Sequence, residues 1–438
     1  MKNARDVIWD HVERTPFIDT HEHLIEESRR VLGQTDDWSF PCDDWALLFH
    51  HYLSDDLAVA GMPEEDRKRF YSADTSSDEK YRLVAPWWEL VKHTGYGQSV
   101  RYALRMLYGE EDLTADSAPR IAEKYRELIR PGLYKHVLRE KANIDYCQVN
   151  SLERSFMETE QPELLRQDLS TVALSTGLDL KTVLRESGRT ANTLDGWLEI
   201  IGWHFASYGP RAVAVKNQSA YNRRLNYDPA TPEQAEPLFT RHAHGDTLNP
   251  DEWKTLQDFL MRYCVTKATE YGLPTKLHTG FFAGHNGMDL SRVSSNAGDL
   301  YTLLRDFPEA RFVLMHIGYP YQDAFIALAK HYRNVTIDMC WAWIINPAAG
   351  VRFVKEFLMA APANKLLTFG GDYLNVEPVC GHSRLARLGM TQALTELVEE
   401  GWLALEETNE LIDRLMNGNA CEIFPERERA FAQGQVIS

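Results

Sequence analysis

Short apolar runs that each finish on a polar or charged residue recur along the chain, with stretches of helical spacing between them. The first is Phe17-Ile18-Asp19-Thr20-His21-Glu22-His23-Leu24. Later ones are Ile144 to Val149, a weaker run from Ser170 to Ser175, Arg211 to Lys216, Thr275 to His278, Arg311 to His316, Asn334 to Met339 and Leu366 to Asp372. These lengths and β-branched contents predict strands. Between them apolar residues return every three or four positions, as in Asn3 to Arg14, Trp253 to Tyr271 and a closing stretch from Thr391 to Phe424 broken near Gly401. Alternating strand and helix predicts a parallel sheet. Eight repeats favour an α/β fold of the closed (β/α)8 TIM-barrel type over an open doubly wound sheet, which normally carries a glycine-rich turn after its first strand. Here that strand ends in histidines.

The rhythm breaks once. From residue 24 to about residue 142 there is no convincing strand, only amphipathic helical stretches rich in aromatics such as Trp45, Phe49, Tyr52, Trp87, Trp88 and Tyr96. The segment reads as a helical insertion after strand one, with its own aromatic core. Because it leaves the chain directly behind the histidines, it also reads as a lid over them. No linker-like composition or internal repeat divides the chain, so residues 1–438 are expected to form one barrel domain carrying this insertion.

Composition narrows the class of function. A formal net charge of −17 over 438 residues argues against the basic face that nucleic-acid binding needs. No apolar run is long enough to span a membrane. The first residues, Met-Lys-Asn-Ala-Arg-Asp, show no apolar signal segment. Six scattered cysteines without a C-x-x-C pair fit reduced thiols rather than a disulfide framework. The expectation is a cytoplasmic enzyme with a small-molecule substrate; the sequence leaves open whether it is a homo-oligomer.

Barrel chemistry sits at the C-terminal ends of the strands. Those ends carry His21 and His23, then Lys216, His278, His316 and Asp372. Residues two apart on a strand share a face, so His21 and His23 project side by side as half of a metal site, with Asp19 in the same row. A His-x-His pair alone is weak evidence. Four strand-end histidines, a lysine and an aspartate on one rim are not. Tyr221, Arg223 and Arg224 follow Lys216, and His382 and Arg384 follow Asp372; they are candidates to bind an acidic substrate, since arginine grips carboxylates bidentately. His242 and His244 are expected in a polar loop between strands four and five and are set aside.

The set Asp19-Thr20-His21-Glu22-His23, Lys216, Leu277-His278-Thr279-Gly280, Met315-His316-Ile317-Gly318 and Gly370-Gly371-Asp372, with Asn417-Gly418-Asn419-Ala420 near the C-terminus, resembles the amidohydrolase superfamily of metal-dependent hydrolases. The long aromatic insertion and Gly318-Tyr319-Pro320-Tyr321 are most similar to the branch that includes uronate isomerase. The resemblance implies that His21, His23 and Asp372 bind a divalent metal, most often Zn2+. It implies that His278 completes that site or joins His316 at a second ion. Lys216 falls where two-metal members carry a carboxylated lysine; a plain ammonium that neutralises substrate is the alternative. The implied catalytic residues are Asp372, as proton acceptor and donor, with His316 and Lys216. The implied reaction is hydrolysis of an amide, ester or lactone by metal-activated water, with isomerisation or decarboxylation of a sugar acid on the same scaffold as the alternative.

Overall fold

A computed structural model describes residues 3–35 and 39–424. The strands are β1 (Phe17–Glu22), β2 (Ile144–Val149), β3 (Leu165–Gln167), β4 (Leu169–Ser170), β5 (Val215–Asn217), β6 (Thr275–Leu277), β7 (Phe312–Leu314), β8 (Val335–Asp338) and β9 (Leu366–Leu367). Every pairing is parallel, in the orders β1-β2-β3 and β4-β5-β6-β7-β8-β9. Only Asp168 separates β3 from β4, and its amide donates to Val149 O while that of Leu169 donates to Ala214 O. The two are one bent barrel strand, which brings the total to eight.

The circle closes between the chain beyond β9 and β1. Thr20 N donates to Phe369 O at 3.0 Å, Asp372 N to His21 O at 2.9 Å and His23 N to Tyr373 O at 2.9 Å. Closure removes the sheet edges, and helices such as Leu194–Tyr208, Pro250–Glu270, Ser291–Asp306 and Val379–Glu399 cover the outside. The TIM barrel expected from the strand–helix alternation is therefore what the chain forms.

The third strand lies earlier than the apolar pattern places it. Residues 172–176 form turns, and the ladder runs through Leu165 to Ser170. Arg166, Gln167 and Asp168 interrupt the apolar run and hide it. Asp168 is tolerated inside the barrel because Lys276 of β6 meets it at 2.7 Å, with both side chains fully buried. His242 and His244 end the helix Pro232–Ala243 instead of lying in a loop. The closing stretch is the helix Val379–Glu399 followed, past Gly401, by short turns of helix up to Ile423.

Between β1 and β2 the described residues build helices and no strand, from Glu27–Val31 to the turn Lys135–Lys141. Trp45, Phe49, Phe70 and Trp88 pack edge-to-face at 5.2–6.1 Å and form this segment's core. Buried Arg30 anchors it to the barrel by meeting Glu377 at 3.0 Å.

Candidate metal centre

Strand β1 grips the end of the eighth barrel strand residue by residue. Asp19 Oδ1 accepts from His21 N at 3.1 Å and from Gly371 N at 3.3 Å, and Glu22 Oε2 accepts from Tyr373 N at 2.6 Å. With Asp372 N on His21 O, residues 371–373 are held from both sides of Asp372. A Cβ on Gly371 would fall 1.9 Å from Glu22 Oε1, so the glycine is what lets the two segments approach. Asp19 and Glu22 are carboxyls in mutual contact. Burial pushes Asp19 up to about 7 and Glu22 well above its usual range, so the pair retains a proton. Both are positioning residues behind Asp372.

The result is a tight cluster. His21 Nε2 lies 3.2 Å from His23 Nε2, and the two nitrogens lie 3.2 and 3.3 Å from Asp372 Oδ1. Lys216 Nζ sits 3.1 Å from His21 Nε2. His316 Nε2 lies 3.0 Å from His278 Nδ1 and 3.9 Å from Asp372 Oδ2. All six rim residues expected from the strand ends are thus brought together.

The outer nitrogens determine what the inner ones offer. A carbonyl oxygen only accepts, so a ring nitrogen bonded to one must carry the proton, and the other nitrogen of a neutral imidazole holds a lone pair. His23 Nδ1 is 2.7 Å from Asn150 O, His278 Nε2 is 2.9 Å from Phe281 O and His316 Nδ1 is 2.9 Å from Cys340 O. The inward atoms His23 Nε2, His278 Nδ1 and His316 Nε2 are therefore bare lone pairs, and the last two face each other at 3.0 Å. Such pairs repel unless a cation lies between them. Imidazoles whose far nitrogen donates to a carbonyl are the arrangement metal ligands adopt.

Charge agrees. Burial drives His21 and His278 well below the usual histidine range and His316 down to about 4, with Lys216 adding to each. These rings are neutral near pH 7. Burial raises Asp372, and positive charge at the facing imidazole nitrogens of His21, His23 and His316 brings its carboxyl well below the usual range; with the rings neutral, a bound cation would supply that charge. Burial lowers Lys216 as well, toward the neutral amine. Neutral nitrogens around one carboxylate fit a divalent cation.

The rim also stores backbone strain. His316 (φ 63°), Ile317 (φ 51°), Trp341 (φ 64°) and Asp372 (φ 66°) occupy the left-handed region without being glycine, at about 1–3 kcal/mol each. The loops behind β6 and β7 cross so closely that a Cβ on Gly280 would come 2.7 Å from the Gly318 backbone. That contact explains Gly280, while a Cβ on Gly318 would come 1.9 Å from the Phe325 ring.

A cavity of about 570 Å³ opens over the cluster, lined by His23, Lys216, His278 and Asp372 from the barrel. Tyr221 lines it too, with its ring 4.6 Å from that of His278 and its hydroxyl accepting from Ala283 N. The remaining substrate-binding candidates do not reach it. Arg223 is paired with Asp258, and Arg224 with Asp299, on the helical layer. Arg384 meets Glu13 at 2.9 Å and lies over the Trp9 ring. His382 is buried against Phe369 and Tyr373. Each guanidinium found a carboxylate outside the barrel mouth, so no arginine lines the cavity among the described residues.

The helical insertion supplies what the strand ends do not. His50, His51, Tyr52, Ser54 and Asp55 line the cavity, and Tyr52 Oη donates to Asp372 O at 2.5 Å. Asp55 Oδ1 receives His285 Nδ1 at 2.7 Å, which ties the insertion to the loop after β6. His51 is held at φ 75°, with a buried Nδ1 that has no protein partner. No local pattern marks these residues; they reach the site through contacts distant in sequence.

Comparison with known proteins places the chain. Protein fluG of Emericella nidulans is 26% identical over 231 residues, 50% of this chain and 26% of that protein. The chain thus spans about a quarter of the curated relative it matches. The fold is similar to that of uronate isomerase from Thermotoga maritima, with a TM-score of 0.76, 16% identity and 97% of this chain and 98% of that one covered. Glucuronate isomerase from Caulobacter crescentus gives a TM-score of 0.76 at 17% identity over 96% and 93% of the two chains. The amidohydrolase family profile matches residues 202–425, which carry Lys216, His278, His316 and Asp372. On the strength of that match, the chain belongs to the amidohydrolase family.

Proposed function

We propose that the protein is a metal-dependent hydrolase that cleaves an amide, ester or lactone bond of a small polar substrate. The observation that carries this reading is the set of carbonyl-fixed imidazoles whose lone pairs converge on the Asp372 carboxylate. His21, His23 and Asp372 would hold one ion, and His278 with His316 a second. Zinc is the expected ion, because imidazole suits it better than the hard ions that prefer all-oxygen sites. Such ions supply Lewis acidity and lower the pKa of water toward neutrality.

The chain's own groups do the rest. Asp372 Oδ2 is the oxygen not committed to His21 and His23; it takes the proton of the attacking water and returns it to the leaving group. Lys216, buried and shifted toward its neutral form, is suited to add CO2 and become a carbamate with two anionic oxygens, releasing a proton to solvent. Tyr221 and the lid residues His51 and Tyr52 orient the substrate and exclude bulk water. Lys216 is the one lysine or arginine lining the cavity among the described residues. An acidic substrate group would therefore bind there or at an ion, since the arginines are engaged elsewhere.

A second reading, isomerisation or decarboxylation of a sugar acid, is favoured by the polar lid lining of His50, His51, Ser54 and Asp55, which suits a polyhydroxylated chain. The two separate in heavy-oxygen water. Zinc-loaded protein is screened against lactones, N-acyl compounds and uronic acids. Hydrolysis places solvent oxygen in the product carboxylate; turnover of a uronic acid without bond hydrolysis contradicts the first reading.

A further inference from the structure

Among the described residues, groups of three or more side chains placed to share an ion occur only at the barrel mouth, and there are two of them. One is His21, His23 and Asp372. The other is His316, Cys340 and Asp372, all buried, with their donor atoms within 4.8 Å of one another. Cys340 sits just past β8 and is not signalled by any cysteine spacing in the sequence.

Its setting is built. Cys340 N donates to Asp338 Oδ1 at 2.8 Å, which fixes the backbone at the thiol. Across from it Gly370 has no side chain; a Cβ there would come 2.8 Å from Cys340 Cβ and 3.0 Å from Sγ. Cys340 O accepts from His316 Nδ1, so the residue that offers the sulfur also leaves the His316 Nε2 lone pair facing inward. Asp372 divides its oxygens, Oδ1 toward His21 and His23 and Oδ2 toward His316. Nitrogen and sulfur ligands of a tetrahedral zinc ion lie about 3.6 Å apart, given bond lengths of about 2.1 and 2.3 Å. The trio needs to contract by only about 1 Å.

We propose that Cys340 is a thiolate ligand of the second divalent ion, joining His316 there beside the His21–His23–Asp372 centre. It rests on the reading of the mouth as a metal site and adds a sulfur donor to it. On binding, the S–H bond gives way to a sulfur–metal bond and the proton passes to solvent. Sulfur biases the second position toward zinc or cobalt and away from magnesium or manganese.

The test uses cobalt-substituted full-length protein and the variants Cys340→Ser and Cys340→Ala, with cobalt counted by elemental analysis and the absorption spectrum recorded. The expected result is about two cobalt ions per chain and a thiolate-to-cobalt charge-transfer band. Both variants lose the band and about one ion, while the weaker cobalt absorption of the histidine site and the circular dichroism persist. Cys380→Ser, a buried cysteine outside the cluster, keeps the band. Cobalt-loaded wild type without a charge-transfer band overturns the proposal even if the variants do not fold. One bound ion without the band overturns this proposal alone, and no bound ion overturns the metal reading with it.

Discussion

Lys216 and Arg223 leave the same strand end, yet one lines the cavity beneath Asp372 and the other is tied to Asp258 on the barrel flank. Asp372 and Arg384 repeat the contrast across the mouth: the aspartate meets His21 and His23, and the arginine meets Glu13 of the first helix. The sheet explains the difference. A residue that ends a barrel strand is aimed by register and pleat, which hydrogen bonds to two neighbouring strands enforce. A few residues further on nothing enforces direction, and a long cation goes to whichever carboxylate lies within reach. Strand ends therefore predict position, while loop residues predict only charge.

The largest test of that contrast is Asp372→Asn, which keeps the side chain's shape and removes the anion. It should lower kcat by on the order of 10³-fold, the range for loss of a general acid–base group, with the barrel's thermal transition largely retained. Lys216→Ala should follow, with loss of about one bound ion per chain by elemental analysis if the lysine is a carbamate bridge. An unchanged metal count would leave Lys216 as a plain cation.

His382, on the helix Val379–Glu399, tests the side beyond the strand ends. Its folded pKa, pushed down to about 3 by burial, lies below the ordinary value of 6.5. A histidine depressed on folding contributes stability in full above about pH 6.5, and this is lost as the pH falls toward 3. Between those limits it adds a slope of about 1.4 kcal/mol per pH unit. His382→Leu should flatten urea-unfolding free energy against pH by about one proton and leave KM unchanged; a raised KM would return His382 to the substrate. Tyr52→Phe removes the hydroxyl that donates to Asp372 O. It should reduce kcat/KM several-fold, in line with about 1 kcal/mol for one hydrogen bond. The smallest effects belong to Arg224→Ala and Arg384→Ala. Both side chains are partly exposed and paired with carboxylates away from the cavity, so KM should be unchanged and stability should fall by less than about 1 kcal/mol.

The barrel and its six rim residues were legible because period and strand termini are local properties. β3 was not, since Arg166 to Asp168 mask an apolar run and the partner that makes Asp168 acceptable, Lys276, lies on another strand. Cys340 escaped notice because a single cysteine past a strand end carries no spacing signal. His51, Tyr52 and Asp55 belong to the insertion, whose aromatics announce a core but not which polar groups point inward. The tautomers of His23, His278 and His316 depend on the backbone carbonyls of Asn150, Phe281 and Cys340, which no side-chain pattern records.

The central claim is that lone pairs fixed on the barrel rim converge to hold divalent ions needed for turnover. Elemental analysis of purified protein before and after chelation, with activity followed on a substrate from the screen, tests it most directly. About two zinc-like ions per chain, activity lost on their removal and restored by zinc, is the predicted result. Metal-free protein with full activity would contradict it.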